Sequence, residues 1–463
     1  METGAVRCVR IGLLGLAAAL AACTSSGSVA PRSTPGTASA PAPTASFPPP
    51  GTPHLAGPWP TYHGDNARSG FLRAPALSLP LHRAWVRELD GAVYAQPLAV
   101  GTFVIAATEN NSVYALRSDT GAVVWRRHLA APIPRSQLPC GNIDPLGITG
   151  TPAYDVDTDD LFVVTETSGG RHDLQAIDVR DGRVQWTRNL DVVNRDPLAQ
   201  QQRSAVLVTH DKVYVAFGGL YGDCGNYVGY VAAVATDGNG SIGHYAVPAG
   251  REAGIWAPPG PVEDANGDLL VAVGNGSGTG GRYDGSDSVL RLSPGLRRLG
   301  FFAPSTWAAD NAADLDLGSS SPILVGHHVV IAGKRGTAYL LAPGLGGIGH
   351  ELATLEGCAA YGGGAATGTT AVLPCNDGLR RLDVTDGGMH WTWHVPGVAG
   401  SPLIVGGTVY ALSADSGDLY AIDLGAGHVR ARVHVGDVTR FATPAPIGQG
   451  LAVGTTTGIA AYR

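Results

Sequence analysis

Lysine is almost missing from this 463-residue chain: Lys212 and Lys334 are its two examples, and the other 29 of its 31 lysine and arginine residues are arginine. Charge of either sign is scarce at 15%, and the balance is −7 with a pI of about 6.0. Such a chain presents no basic field for phosphate neutralisation, which excludes electrostatic nucleic-acid binding. Cys-x-x-Cys is absent, which removes zinc ribbons and Cys-x-x-Cys-His haem attachment. A Gly-x-Ser-x-Gly nucleophile elbow is also absent, and the histidines show no metal-ligand spacing. Residues 276–281 match a dinucleotide fingerprint by letter. They are followed by Arg282-Tyr283-Asp284-Gly285-Ser286, with no helix whose N-terminus could hold a pyrophosphate. Gly333-Lys334 lacks both the upstream glycine and the Ser/Thr of a P-loop.

Glycine and proline, by contrast, are abundant, with 66 and 32 copies. Both are costly in helix interiors, so their spread along the chain argues against a mainly helical protein. At 44% hydrophobic residues the chain can bury a large core.

The N-terminal region reads as targeting. Arg7 and Arg10 precede an apolar run over residues 11–20, too short to span a bilayer but suited to a signal sequence. The run ends in Leu20-Ala21-Ala22-Cys23, which resembles the lipobox of bacterial lipoproteins, with Cys23 as the lipid-bearing thiol. Residues 1–22 are therefore expected to be a signal peptide. Residues 23–57, rich in Pro, Ser and Thr, are expected to form a tether that cannot bury enough apolar surface to fold. A globular body over residues 58–463 follows. The expected location is the outer face of the cytoplasmic membrane, reached through the lipid anchor. With Cys8 and Cys23 set aside, four cysteines remain, an even number that favours disulfides in an exported domain. Of the three pairings, Cys140–Cys224 with Cys358–Cys375 is favoured.

The body repeats itself. One unit reads Gln96-Pro97-Leu98-Ala99-Val100, Phe103-Val104-Ile105-Ala106-Ala107, Ser112-Val113-Tyr114-Ala115-Leu116, a turn at Asp119-Thr120-Gly121, and Val123-Val124-Trp125. These are four short β runs separated by turns. A glycine precedes tryptophan by four residues at Gly121/Trp125, Gly182/Trp186 and Gly387/Trp391. Prolines 97, 152, 261, 322, 402 and 444 mark strand starts, and the units begin near residues 91, 148, 201, 254, 318, 362, 397 and 438. The last unit holds three strands, and residues 84–89 can supply the fourth. The expected fold is all-β: an eight-bladed β-propeller of four-stranded antiparallel blades, closed by an N-terminal strand.

Ala-(Leu/Ile)-Asp followed by a glycine turn and tryptophan resembles the quinoprotein-dehydrogenase-type propeller. That superfamily holds enzymes using pyrroloquinoline quinone (PQQ) and non-catalytic relatives such as the outer-membrane-assembly lipoprotein. The resemblance implies roles for a set of residues. Trp256 would be the stacking tryptophan. Asn275, in Val273-Gly274-Asn275-Gly276, would ligate Ca²⁺ together with Asp223. Asp314 and Asp316, in an Asp-x-Asp-x-Gly resembling the polyvinyl-alcohol dehydrogenase branch, offer the catalytic base, and Lys334 would face the quinone oxygens. The chain departs from the enzymes at Gly222-Asp223-Cys224-Gly225, where they carry a glutamate, and it lacks vicinal cysteines and a haem domain.

Two functions therefore stand open. The first is an exported binding or assembly module without redox chemistry of its own, holding a protein, polymer or small ligand on its loops. The alternative is a PQQ- and Ca²⁺-dependent alcohol dehydrogenase of the polyvinyl-alcohol type. The discriminating observation is whether Trp256, Asn275, Asp316 and Lys334 meet at one axial mouth.

Overall fold

The computed structural model describes residues 59–385 and 388–463. The signal segment, Cys23, the tether and Gly387 lie outside the described residues. Eight sheets follow one another around a ring. Blade 1 comprises Leu98–Val100, Phe103–Thr108, Ser112–Arg117 and Val123–His128, each antiparallel to the next. Blades 2 to 7 occupy residues 153–189, 200–246, 262–303, 323–356, 365–396 and 403–434. Blade 8 has Ala445–Ile447, Gly450–Thr455 and Gly458–Tyr462, and its outer strand is Arg83–Glu88, paired antiparallel with Gly458–Tyr462. The N-terminal strand thus closes the ring as expected, and closure hides strand edges that would otherwise template aggregation.

The core is a series of layers between neighbouring blades rather than a single centre. Ile105 and Val113 of blade 1 pack with Leu161 and Val163 of blade 2, while Ala106 and Tyr114 pack with Ala452 and Ala461 of blade 8. The repeated tryptophans lock the rim. Trp85, Trp125 and Trp186 each lie on the turn glycine of the next blade, Gly121, Gly182 and Gly238. Each indole N–H donates to a carbonyl there: Ser118, Val179 and Thr236 at 3.1, 2.9 and 3.1 Å. These glycines combine positive φ with an approach that leaves no room for a Cβ; one at Gly121 would sit 2.5 Å from the Trp85 ring. Buried carboxylates serve the same purpose nearer the axis. Glu109 accepts from Gly147 N and Asp287 from Leu317 N, each in the connection to the next blade, and Glu166 accepts from Gln202 N within the next blade.

Both disulfides take the favoured pairing. Cys140–Cys224 ties the connection after blade 1 to a loop of blade 3, and Cys358–Cys375 staples the entry of blade 6 to its second strand. Such bonds persist in oxidising compartments and point to an extracytoplasmic setting.

One feature has no counterpart in the repeats. Residues 59–72 cross the axis and touch the first strands of six blades. Trp59 exchanges backbone hydrogen bonds with Ala99, and the Pro60 carbonyl accepts from Tyr154 N. Asn66 reaches Val208 and Glu263, Ser69 O accepts from Ala366 N, and Phe71–Leu72 adds a parallel strand beside Leu403–Val405. A 14-residue segment can do this only where those strands converge, so it marks the centre of the ring and plugs it. Arg68, buried, donates to the carbonyls of Tyr62, Val206 and Pro261 and to Thr61 Oγ1.

Candidate functional site

Above this plug lies an axial cavity of about 790 Å³ with Tyr62 among the residues that line it. Trp256, Asn275, Asp314, Asp316, Lys334 and Asp223 line it as well. They come from loops of blades 3, 4 and 5, spread over residues 223 to 334, and the topology brings all six to one mouth. Asp316 is the hub. Its Oδ1 accepts from Asn275 N at 2.7 Å and from Trp256 Nε1 at 3.5 Å, and its Oδ2 receives the Lys334 ammonium. Lys334 also donates to Asp314 Oδ1 at 2.7 Å, and its backbone N–H donates to Asp316 O at 2.8 Å.

Two glycines make this clustering possible. A Cβ at Gly274 would lie 2.1 Å from Asp316 Oδ1, and one at Gly333 would lie 2.3 Å from Asp316 O. Asp314 sits in the left-handed region at φ 53°, which turns its carboxylate back to the lysine. The Asn275 side-chain amide, by contrast, makes no hydrogen bond among the described residues, so an oxygen donor faces the cavity unspent. Asp223 also faces it, with Oδ1 accepting from Tyr227 Oη.

Burial works against the charge on Lys334, but Asp316 and Asp314 outweigh it and hold its pKa above the usual value. Burial pushes the Asp316 carboxyl up; Lys334 and the Asn275 N–H oppose this without cancelling it. Glu252 is raised too, by burial first and then by the field of Asp223, Asp316 and Asp314. The carboxylates thus share one field.

Residues 82–279 match a family model described as outer membrane protein assembly factor BamB. Comparison with curated proteins finds no match. Among solved structures, the quinohemoprotein alcohol dehydrogenase from Comamonas testosteroni superposes with a TM-score of 0.70 at 17% identity, covering 88% of this chain and 80% of that one. A europium-containing methanol dehydrogenase gives 0.66 at 15%, covering 88% and 97%. BamB from Moraxella catarrhalis gives 0.58 at 15%, covering 83% and 99%. Residues 82–279 thus resemble the BamB-type PQQ-repeat family, and the chain as a whole is an eight-bladed β-propeller. At these identities the structural likeness shows the fold.

The propeller also places in its cavity residues that the motifs did not reveal. Arg203 pairs with no carboxylate among the described residues; its guanidinium lies 5.9 Å from the Trp256 ring and 5.5 Å from the Phe441 ring. Arg440 lies over Tyr361 at 4.1 Å and donates to Asn376 Oδ1 at 2.7 Å. Blades 3, 6 and 8 contribute these groups, which carry no shared spacing in the sequence. Phe441 stands just before the proline-marked start of blade 8, but no proline marks Leu207–Thr209, the strand that follows Arg203.

Glu109 lies beneath the wall, accepting from Gly147 N and Thr149 Oγ1, both at 2.8 Å. Burial raises its carboxyl from the ordinary 4.5 to about 8. A folded pKa above the unfolded one means that its contribution to stability is complete below about 4.5 and is lost as pH rises to about 8. Urea unfolding between pH 5 and 8 is therefore expected to show Glu109→Gln keeping stability that the parent loses. Parallel pH curves for the two proteins refute this.

Proposed function

We propose that the axial cavity binds PQQ and oxidises an alcohol. The observation that carries this reading is the convergence of Trp256, Asn275, Asp314, Asp316, Lys334 and Asp223 on one cavity. The residues fit a flat polycarboxylated quinone: Trp256 and Phe441 offer aromatic surface, and Arg203 and Lys334 offer cations. They also offer oxygen donors for a hard cation at Asn275, with Asp223 and Asp316 in the same cavity. Bound there, PQQ would supply a two-electron acceptor and Ca²⁺ would polarise its reactive carbonyl.

The chain's own residues then have assignable tasks. Asp316, buried and with a raised pKa, takes the hydroxyl proton of the alcohol at its carboxylate. Lys334 stays protonated and holds both aspartates in place while presenting positive charge to the cavity. The plug closes the floor, and Tyr62 and Trp256 keep the cavity wall apolar beside the polar cluster. Export, lipid attachment at Cys23 and a tether over residues 23–57 complete the reading, which places the enzyme on the outer face of the cytoplasmic membrane.

The BamB-like family match over residues 82–279 favours a second reading, a protein-binding module that uses the propeller loops. Titration of the full chain with PQQ, with and without Ca²⁺, separates the two. The enzyme reading expects micromolar binding with a thermal shift and oxidation of an alcohol by a dye acceptor. No binding in either condition overturns it and leaves the binding module, to be pursued by crosslinking in cells.

A further inference from the structure

The connection between blades 4 and 5 carries a short helix, Trp307–Ala312, that lies among the loops bearing the cavity residues. Asn311, buried, clamps the loop after Asn275: its Oδ1 accepts from Gly276 N at 2.6 Å, and its Nδ2 donates to Ser286 Oγ at 2.8 Å and to Gly278 O. Asp310, also buried, holds the loop of Lys334 from the other side by pairing with Arg335. The Asp310 carbonyl accepts from Ala313 N at 3.1 Å and from Leu315 N at 3.0 Å, which fixes the turn that presents Asp314 and Asp316. The helix is itself anchored: Trp307 meets the Tyr283 ring edge-on at 5.2 Å, and Tyr283 stacks on Phe301 at 5.3 Å.

The loops that carry Asn275 and Lys334 are therefore gripped by two consecutive buried side chains, and the turn that carries Asp314 and Asp316 by the backbone carbonyl of Asp310. A purely structural helix would need to bond to its neighbours somewhere. It would have no reason to send one side chain to the residue after Asn275 and the next to the residue after Lys334. We propose that Asn311 and Asp310 are positioning residues: they set the distance between Asn275, Asp316 and Lys334, and so determine whether the cavity can hold its ligand. This rests on the reading of the cavity as a PQQ site. Geometry of this kind matters because a binding constellation tolerates displacements of only about 0.5 Å.

The test uses the chain's poverty in lysine. Lys334 and Lys212 are its two lysines, and Lys212 stands in blade 3 with its ammonium against Pro294 O, outside the cavity lining. Competitive acetylation with acetic anhydride, read by mass spectrometry as the Lys334 to Lys212 ratio, reports the Lys334 clamp with no cofactor present. PQQ affinity is measured in parallel. Asn311→Ala and Asp310→Asn are compared with Thr370→Val, which removes a side-chain hydrogen bond to Asp383 in blade 6, outside the cavity lining. Expected are a rise of at least threefold in relative Lys334 acetylation for Asp310→Asn and a PQQ affinity about tenfold weaker for Asn311→Ala, the lower end of what supporting residues cost at a ligand site. Thr370→Val is expected to move the unfolding midpoint alone. Unchanged Lys334 reactivity in both helix variants, or equal changes in Thr370→Val, overturns the positioning role. Absence of PQQ binding by the parent protein overturns the cofactor reading instead, and the acetylation ratio still decides the role of the helix.

Discussion

Replacing Asp316 with asparagine is expected to cut PQQ-dependent alcohol oxidation by about 10²–10⁴-fold, the usual contribution of a positioned base. Asparagine preserves size and can still accept from Asn275 N and Trp256 Nε1, so the loops should hold their places. What it loses is the ability to take a proton, together with one of the two anions that hold Lys334. Asp314 remains to pair with the lysine, at 2.7 Å, so the ammonium is not abandoned in the protein interior. PQQ affinity should therefore change by only a few fold while turnover collapses. Asp314→Asn is the internal comparison: that carboxylate is largely exposed, and its loss should cost far less turnover. A variant at position 316 that retains activity within tenfold of the parent refutes the assignment of the base.

Arg68→Ala is expected to lower the stability of the propeller by roughly 3–5 kcal/mol, a size reserved for broken buried networks. Arg68 is 3% exposed and donates to the carbonyls of Tyr62, Val206 and Pro261 as well as to Thr61 Oγ1. Truncation leaves carbonyls of the plug and of blades 3 and 4 without that donor, each at a cost of about 1–3 kcal/mol, and opens a void at the axis. Because Tyr62 lines the cavity, ligand binding should weaken in the same variant. Chemical unfolding followed by tryptophan fluorescence measures the first effect. A loss under 1 kcal/mol would show that the plug is an ornament of the ring rather than its keystone.

Much of the fold was legible because it is written as a repeat. Six of the eight units spend a proline at the start of the first strand, and three place a tryptophan four residues after a turn glycine. The turn glycines also have a local steric cause in their positive φ, 67° at Gly121. Closure by residues 83–88 was legible for a related reason: a unit one strand short and a strand without a unit complete each other. The plug was not legible. Residues 59–72 follow no period, and their hydrogen bonds go to six blades whose convergence exists only after the ring has closed.

The cavity divides the same way. Trp256, Asn275, Asp314, Asp316, Lys334 and Asp223 could be nominated through the resemblance of their motifs to those of quinoprotein dehydrogenases. Arg203, Arg440 and Phe441 could not, because nothing local distinguishes a cavity arginine from the many on the outer strands. By itself the sequence determined the repeat, the blade count and the closing strand, consequences of turn chemistry and hydrophobic alternation, while the candidate chemical residues came from the resemblance of their motifs to a known family. The tertiary structure alone decided that those residues meet, that Lys334 lies between two carboxylates, and that a helix between blades 4 and 5 grips the loops that carry them. Those facts depend on distances between segments far apart in the chain, which the closed ring sets.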